Sequence, residues 1–213
     1  MTIETVMRLA PVIPVVVIDD PAHARPIAEA LVAGGLPAIE VTLRTPAALE
    51  AIAEISTVAG AVVGAGTVLD DRQLDQAIGA GATFAVSPGL TERLGRAAIE
   101  RDVPFLPGIA NASDLMRGLD LGLRHFKFFP AVANGGLPAL RALAGPFGDA
   151  RFCSTGGITP DNAADWLADP VVLCVGGTWI VPRGTPDPEQ IRSAAARAAD
   201  LRRAVSRKSR NRQ

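Results

Sequence analysis

Of the 21 lysine and arginine residues in the chain, only Lys127 and Lys208 are lysine. Lys127 sits in HFKFFP, His125 to Pro130, a stretch holding three of the seven phenylalanines. Arginine serves wherever a general positive charge is enough, so a lysine in so apolar a segment points to a need for the primary amine itself. A primary amine can add to a carbonyl and form an imine. Burial disfavours the ammonium relative to the neutral amine, and a second cation such as Arg44 would push the same way. The competing reading is a buried ion pair with a carboxylate, for which Glu40 is the natural partner. Glu40 is the single charge in the apolar stretch AIEVTL and could hold or shuttle a proton or simply balance Lys127 or Arg44. Arg44 suits bidentate recognition of a carboxylate, or else a surface salt bridge at the start of a helix.

Two further stretches suggest anion binding. STGGITPDN begins at Ser154 and VGGTW at Val175. Paired glycines leave backbone N–H groups free to face an anion, and the first pair directly precedes a helix-like stretch.

These residues need a scaffold. The chain alternates short β-branched runs with alanine-rich helical stretches. Strands are expected at 12–18, 38–43, 61–66, 83–87, 104–109, 124–129, 151–157 and 171–177. Helical stretches follow each, the first closing at Gly34 and Gly35, the second capped by Thr45 with Pro46 at its first position. Eight apolar strands, each with its helix, predict a parallel sheet covered on both faces, closed as a (β/α)₈ TIM barrel. No GxGxxG opens the first helix, which counts against a doubly wound open sheet. One domain is expected over residues 1–200, with a basic, frayed tail at 201–213. In such a barrel the site lies at the C-terminal strand ends. Those ends carry Glu40 and Arg44, Thr67, Ser87 and Pro88, Lys127, and the two glycine turns. Alternation places His125, Lys127 and Phe129 on one face of their strand and Phe126 and Phe128 on the other. The phenylalanines are expected to dry the lysine's surroundings.

Composition narrows the function. The chain has 213 residues, is 48% hydrophobic and 20% charged, and carries a net charge of −1. A sizeable core is expected, with no basic field pointing to nucleic acid or an anionic membrane. The longest apolar run, Leu9 to Ile18, is too short to span a bilayer, and the start lacks a signal-peptide pattern. A cytoplasmic protein is therefore expected. With only His23 and His125, neither a histidine-rich metal site nor a Ser-His-Asp triad is easily built. Cys153 and Cys174 lie in apolar segments without CxxC spacing and read as buried thiols.

The motifs resemble those of the 2-keto-3-deoxy-6-phosphogluconate aldolase family, whose members often also act as 4-hydroxy-2-oxoglutarate aldolases. The resemblance rests on EVTLRT (40–45), VGAGTVL (63–69), SPGLT (87–91), PFLPGI (104–109), FKFFPA (126–131), ANGG (133–136), GPF (145–147), RFCSTGGI (151–158) and GGTWIVP (176–182). It implies a class I aldolase, without cofactor or metal, on a homotrimeric barrel. Such an enzyme splits its substrate into pyruvate and glyceraldehyde 3-phosphate. Lys127 would form the imine, with Glu40 as general acid and base working through a water. Arg44 and Thr67 would bind the pyruvyl carboxylate, with Pro88 and Phe129 as walls. Thr155, Gly156, Gly157, Gly177 and Thr178 would hold the phosphate end. Three departures bear on substrate breadth: Thr178 replaces a usual serine, Val132 a common glutamate, and Ala110–Asn111 a usual Ser-Thr pair. The alternatives are a sibling aldolase acting on the galactonate epimer or on 4-hydroxy-2-oxoglutarate alone, a metal-dependent class II aldolase, and a non-catalytic sugar-phosphate-binding barrel.

Overall fold

The computed structural model describes residues 1–201. Apart from Leu201, the tail expected at 201–213 lies outside the described residues. The strands are β1 (Val12–Val16), β2 (Ala38–Thr42), β3 (Val62–Gly66), β4 (Phe84–Val86), β5 (Phe105–Leu106), β6 (Gly108–Ile109), β7 (His125–Phe128), β8 (Arg151–Thr155) and β9 (Val172–Gly177). They form one nine-stranded sheet in the order β5-β4-β3-β2-β1-β9-β8-β7-β6. All the pairings are parallel, and the sheet curls into a nearly closed barrel with its helices outside.

The strand expected over 104–109 is two. Pro107 has no N–H to donate, so the ladder breaks there. Phe105 and Leu106 pair with β4, and Gly108 and Ile109 with β7. The Pro107 carbonyl still accepts from the Lys127 N–H at 2.8 Å, which carries the sheet past the gap.

Alternation along the strands sorts two apolar layers. Ile39, Val41, Val63, Ala65, Phe126, Phe128 and Phe152 face outward onto the helices. Ile13, Ala38, Phe84, Val86, Leu106, Cys153 and Cys174 fill the lumen. Phe126 and Phe128 therefore pack away from the lysine between them. The helices that cover the outside include α2 (Ala24–Ala33), α3 (Ala48–Ser56), α4 (Asp71–Gly79), α5 (Glu92–Glu100) and α6 (Ala112–Asp120). They continue with α7 (Gly136–Ala144), α8 (Ala163–Leu167) and α9 (Pro188–Ala199).

Two local expectations are corrected. Thr45 does not cap α3, which starts three residues later without a side-chain cap. Its hydroxyl instead donates to the Ile18 carbonyl at 2.5 Å, tying the loop after β2 to the loop after β1. A helix unforeseen in the sequence, α1 (Ile3–Arg8), is capped by Thr2 and inserts Val6 and Met7 into the lumen from its N-terminal end. Its Glu4 takes a hydrogen bond from Arg8 at 2.8 Å and lies 3.6 Å from half-buried His125.

Burial holds the His125 pKa below its ordinary value, and the Glu4 charge opposes this only in part. The folded state thus favours neutral imidazole, and the stability this contributes is present above about pH 6.5 and lost as pH falls through the folded-state value. His125→Gln should flatten that part of a urea-midpoint-versus-pH curve; an unchanged slope would show that His125 does not contribute. Gly64 offers a steric check, because a Cβ there would lie 2.4 Å from the buried Phe84 ring. Gly64→Ala should lower stability by about 1–3 kcal/mol in urea unfolding.

Candidate functional site

The loops that leave the C-terminal strand ends gather at one mouth of the barrel. Below that mouth, Lys127 on β7 meets Glu40 on β2. These strands stand on opposite sides of the lumen, with β1, β9 and β8 between them in sheet order. The Lys127 Nζ lies 3.0 Å from Glu40 Oε1 and 3.4 Å from Oε2. The two residues are only 6% and 3% exposed. Small neighbours make the meeting possible. Lys127 is in register with Gly108 on one side and Cys153 on the other. A Cβ on Gly66 would lie 2.3 Å from Glu40 Oε1, so only glycine leaves space for the carboxylate.

The ion pair weighed against the imine reading is thus present. A carboxylate that holds an ammonium at hydrogen-bond distance is also placed to take its proton. One aromatic ring does lie close: the Phe129 centroid is 5.4 Å from Nζ.

Arg44 is exposed on the turn after β2 and makes no hydrogen bond or ion pair with any described residue. The surface salt bridge considered for it is not formed, leaving a guanidinium available to an anion. Thr67, just past β3, is half-buried with φ of 59°. A β-branched residue in the left-handed region is strained. Gly66 supplies its carbonyl to Leu43 N–H at 2.8 Å, so the turn carrying Thr67 is tied to the loop carrying Arg44.

Pro88 is exposed on the turn after β4. Buried Ser87 shapes this turn by donating its hydroxyl to the Gly89 carbonyl at 2.6 Å. Gly108 admits it, since a Cβ there would lie 2.1 Å from the Pro88 carbonyl oxygen.

The glycine turns close β8 and β9. Thr155 is buried at the end of β8, with Oγ1 3.7 Å from Cys153 Sγ, in space that Gly176 leaves open. Gly156 and Gly157 follow with φ of 101° and 78°, values that exclude most other residues. Val132 packs directly on Gly157, and its N–H donates to the Gly156 carbonyl at 3.0 Å. Gly177 lies against the Trp179 ring, and Thr178 is exposed between them. Of the other departures, Asn111 caps α6 by accepting from Asp114 N–H at 3.0 Å, while the Ala110 carbonyl accepts from Asn134 Nδ2 at 2.7 Å. Both serve the loops' own geometry.

All the residues selected from the sequence thus lie in the lumen or around one mouth. Gly66, Gly108 and Asn134 were missed. Their work is to leave space or tie loops, and only the clustering of small residues in VGAGT hinted at it, whereas Ser87 was legible at the end of its strand. Cys153 and Cys174 are buried thiols in register across β8 and β9. Among the described residues no group of three or more His, Cys, Asp or Glu side chains could hold a metal ion.

Comparison with known proteins finds a matching family and similar solved structures. The sequence profile of an aldolase family, described as KDPG and KHG aldolase, matches residues 3–194. The 2-dehydro-3-deoxy-phosphogluconate aldolase of Zymomonas mobilis is 60% identical over 203 residues, 95% of this chain and 98% of its own. The crystal structure of the 2-keto-3-deoxy-6-phosphogluconate aldolase of Zymomonas mobilis ZM4 with 3-phosphoglycerate superposes with a TM-score of 0.93. It is 60% identical and covers 95% of this chain and 97% of its own. A KDPG aldolase from Legionella pneumophila holds pyruvate captured as a covalent carbinolamine. It is 45% identical with a TM-score of 0.85, over 96% of this chain and 98% of its own.

Gly66→Ala should displace the Glu40 carboxylate and reduce turnover by about tenfold or more. A circular dichroism spectrum and urea midpoint near those of the parent would separate that loss from unfolding; unimpaired turnover would show that the carboxylate's position does not matter.

Proposed function

The chain belongs to the KDPG and KHG aldolase family, and from that premise we propose that it cleaves 2-keto-3-deoxy-6-phosphogluconate to pyruvate and glyceraldehyde 3-phosphate through an imine on Lys127. The observation that carries this reading is the buried Lys127 amine at 3.0 Å from the Glu40 carboxylate. The same site would cleave 4-hydroxy-2-oxoglutarate to pyruvate and glyoxylate.

The chemistry follows from that pair. Glu40 takes a proton from the Lys127 ammonium, and the neutral amine adds to the substrate's C2 carbonyl. The resulting carbinolamine loses its hydroxyl as water when Glu40 returns a proton, which leaves a protonated imine. Glu40, through a water, then removes the proton of the C4 hydroxyl. The C3–C4 bond breaks, its electrons pass to the imine nitrogen as an enamine, and the aldehyde leaves. Protonation at C3 and hydrolysis release pyruvate and restore the amine.

The surrounding residues hold the ends of the substrate. Arg44, without a partner among the described residues, takes the pyruvyl carboxylate with Thr67. Pro88 and Phe129 wall the pyruvyl pocket. Thr155, Gly156, Gly157, Gly177 and Thr178 receive the phosphate through backbone N–H groups and hydroxyls. A homotrimer, a cytoplasmic location and a single domain over residues 1–200 complete the proposal and rest on the sequence and the family. Among the described residues no helix is long and apolar enough to cross a membrane.

Incubation with pyruvate and borohydride, followed by digestion and mass mapping, should place a reduced adduct on Lys127. An adduct on Lys208, or none, would overturn the mechanism. Lys127→Arg should abolish turnover, and Glu40→Gln should lower kcat by roughly a hundredfold or more. A change confined to KM would make Glu40 a binding residue only.

A further inference from the structure

The aldolase mechanism leaves one ion pair at the mouth of the barrel unused. Arg183 Nη2 lies 3.0 Å from Asp19 Oδ1 and 3.2 Å from Oδ2. Asp19 is in the loop after β1 and Arg183 in the loop after β9, on strands that pair with Pro14 opposite Gly177. Among the described residues it is the one ion pair that joins two loops at the C-terminal strand ends. Neighbouring Asp20 is occupied as a cap for Ala22 N–H, so Asp19 is the carboxylate that holds Arg183.

The loop bearing Arg183 is anchored by buried residues and otherwise exposed. It begins at Gly177 and exposed Thr178, is pinned by buried Ile180 and Val181, and ends where Asp187 caps α9. Arg183 stands five residues beyond Thr178 and is paired with Asp19 in the loop after the neighbouring strand β1. Its side chain is 68% exposed and that of Asp19 is 55% exposed. Such a pair adds little to stability and exchanges readily. A phosphate dianion offers a guanidinium more charge than a carboxylate and an equally good bidentate geometry.

We propose that Arg183 is a specificity-determining residue that leaves Asp19 for the substrate's phosphate, with Asp19 as its resting partner. The inference rests on the reading that the glycine turns after β8 and β9 receive that phosphate. It assigns the chain a phosphate-binding cation beyond backbone N–H groups and hydroxyls, in competition with one of its own carboxylates.

Opposite signs test it. Arg183→Ala should weaken inorganic phosphate binding, followed by titration calorimetry, by about tenfold, the value of one charge-assisted contact. It should raise KM for the phosphorylated substrate alike, with kcat and the kinetics of unphosphorylated 4-hydroxy-2-oxoglutarate unchanged. Asp19→Ala should instead tighten phosphate binding by up to about fivefold, the reward for releasing an exposed pair. If the pair only braces the loops, both substitutions act in the same direction and the proposal is overturned. It is overturned equally if Arg183→Ala impairs both substrates alike. If the parent enzyme itself shows no preference for the phosphorylated substrate and binds no phosphate, the reading of the glycine turns fails, and the proposal with it.

Discussion

The contact between Lys127 and Glu40 across the lumen constrains the rest of the molecule. Two opposite charges buried together cost several kcal/mol each in lost hydration, which their attraction repays only when geometry is good. The barrel supplies that geometry by placing β2 and β7 opposite each other. Their side chains then meet near the axis, where neither backbone could bring them together locally. A carboxylate at this distance is placed to take a proton from the amine, as the proposed imine chemistry requires.

Space for that pair comes from residues without side chains. Gly66 vacates the volume that Glu40 fills, and Gly108 lets the Pro88 turn close on the barrel. The same economy recurs at the far rim, where Gly176 makes room for Thr155 and Gly157 for Val132. Floor and roof differ in kind. Below the pair, α1 and the inner strand faces build a dry apolar layer. Above it, the mouth carries exposed Arg44, which has no partner among the described residues, and Arg183 in its exposed pair with Asp19. A low-dielectric base and a cationic rim suit the anionic substrate proposed for the site.

The phenylalanines around Lys127 show how a correct pattern can mislead about a cause. Their alternation with the lysine was legible, and it aimed the amine into the lumen. Phe126 and Phe128 pack outward on the helices, however, so they fasten β7 rather than dry its amine. Among the described residues the one ring close to the amine is that of Phe129, and the apolar layer of the lumen comes from distant segments, among them Met7, Phe84 and Leu106. Thr45 teaches the same lesson in small: its sequence context suits a cap, but the Ile18 carbonyl lies within its reach and takes the hydroxyl.

The strand and helix alternation, the inward direction of Lys127 and Glu40, and the position of the glycine turns were all determined by the sequence, because period-2 burial and glycine's backbone freedom are local properties. Arg44 and Thr67 were likewise legible as polar residues at the strand ends. Other features were decided only by the tertiary structure. Whether Glu40 reaches Lys127, whether Arg44 has a partner, where Pro107 divides a strand, and that Asp19 holds Arg183 all depend on segments far apart in the chain. Such contacts are set by closure of the barrel, which fixes the distance between opposite strands and the neighbour of every loop, and no local pattern encodes that distance.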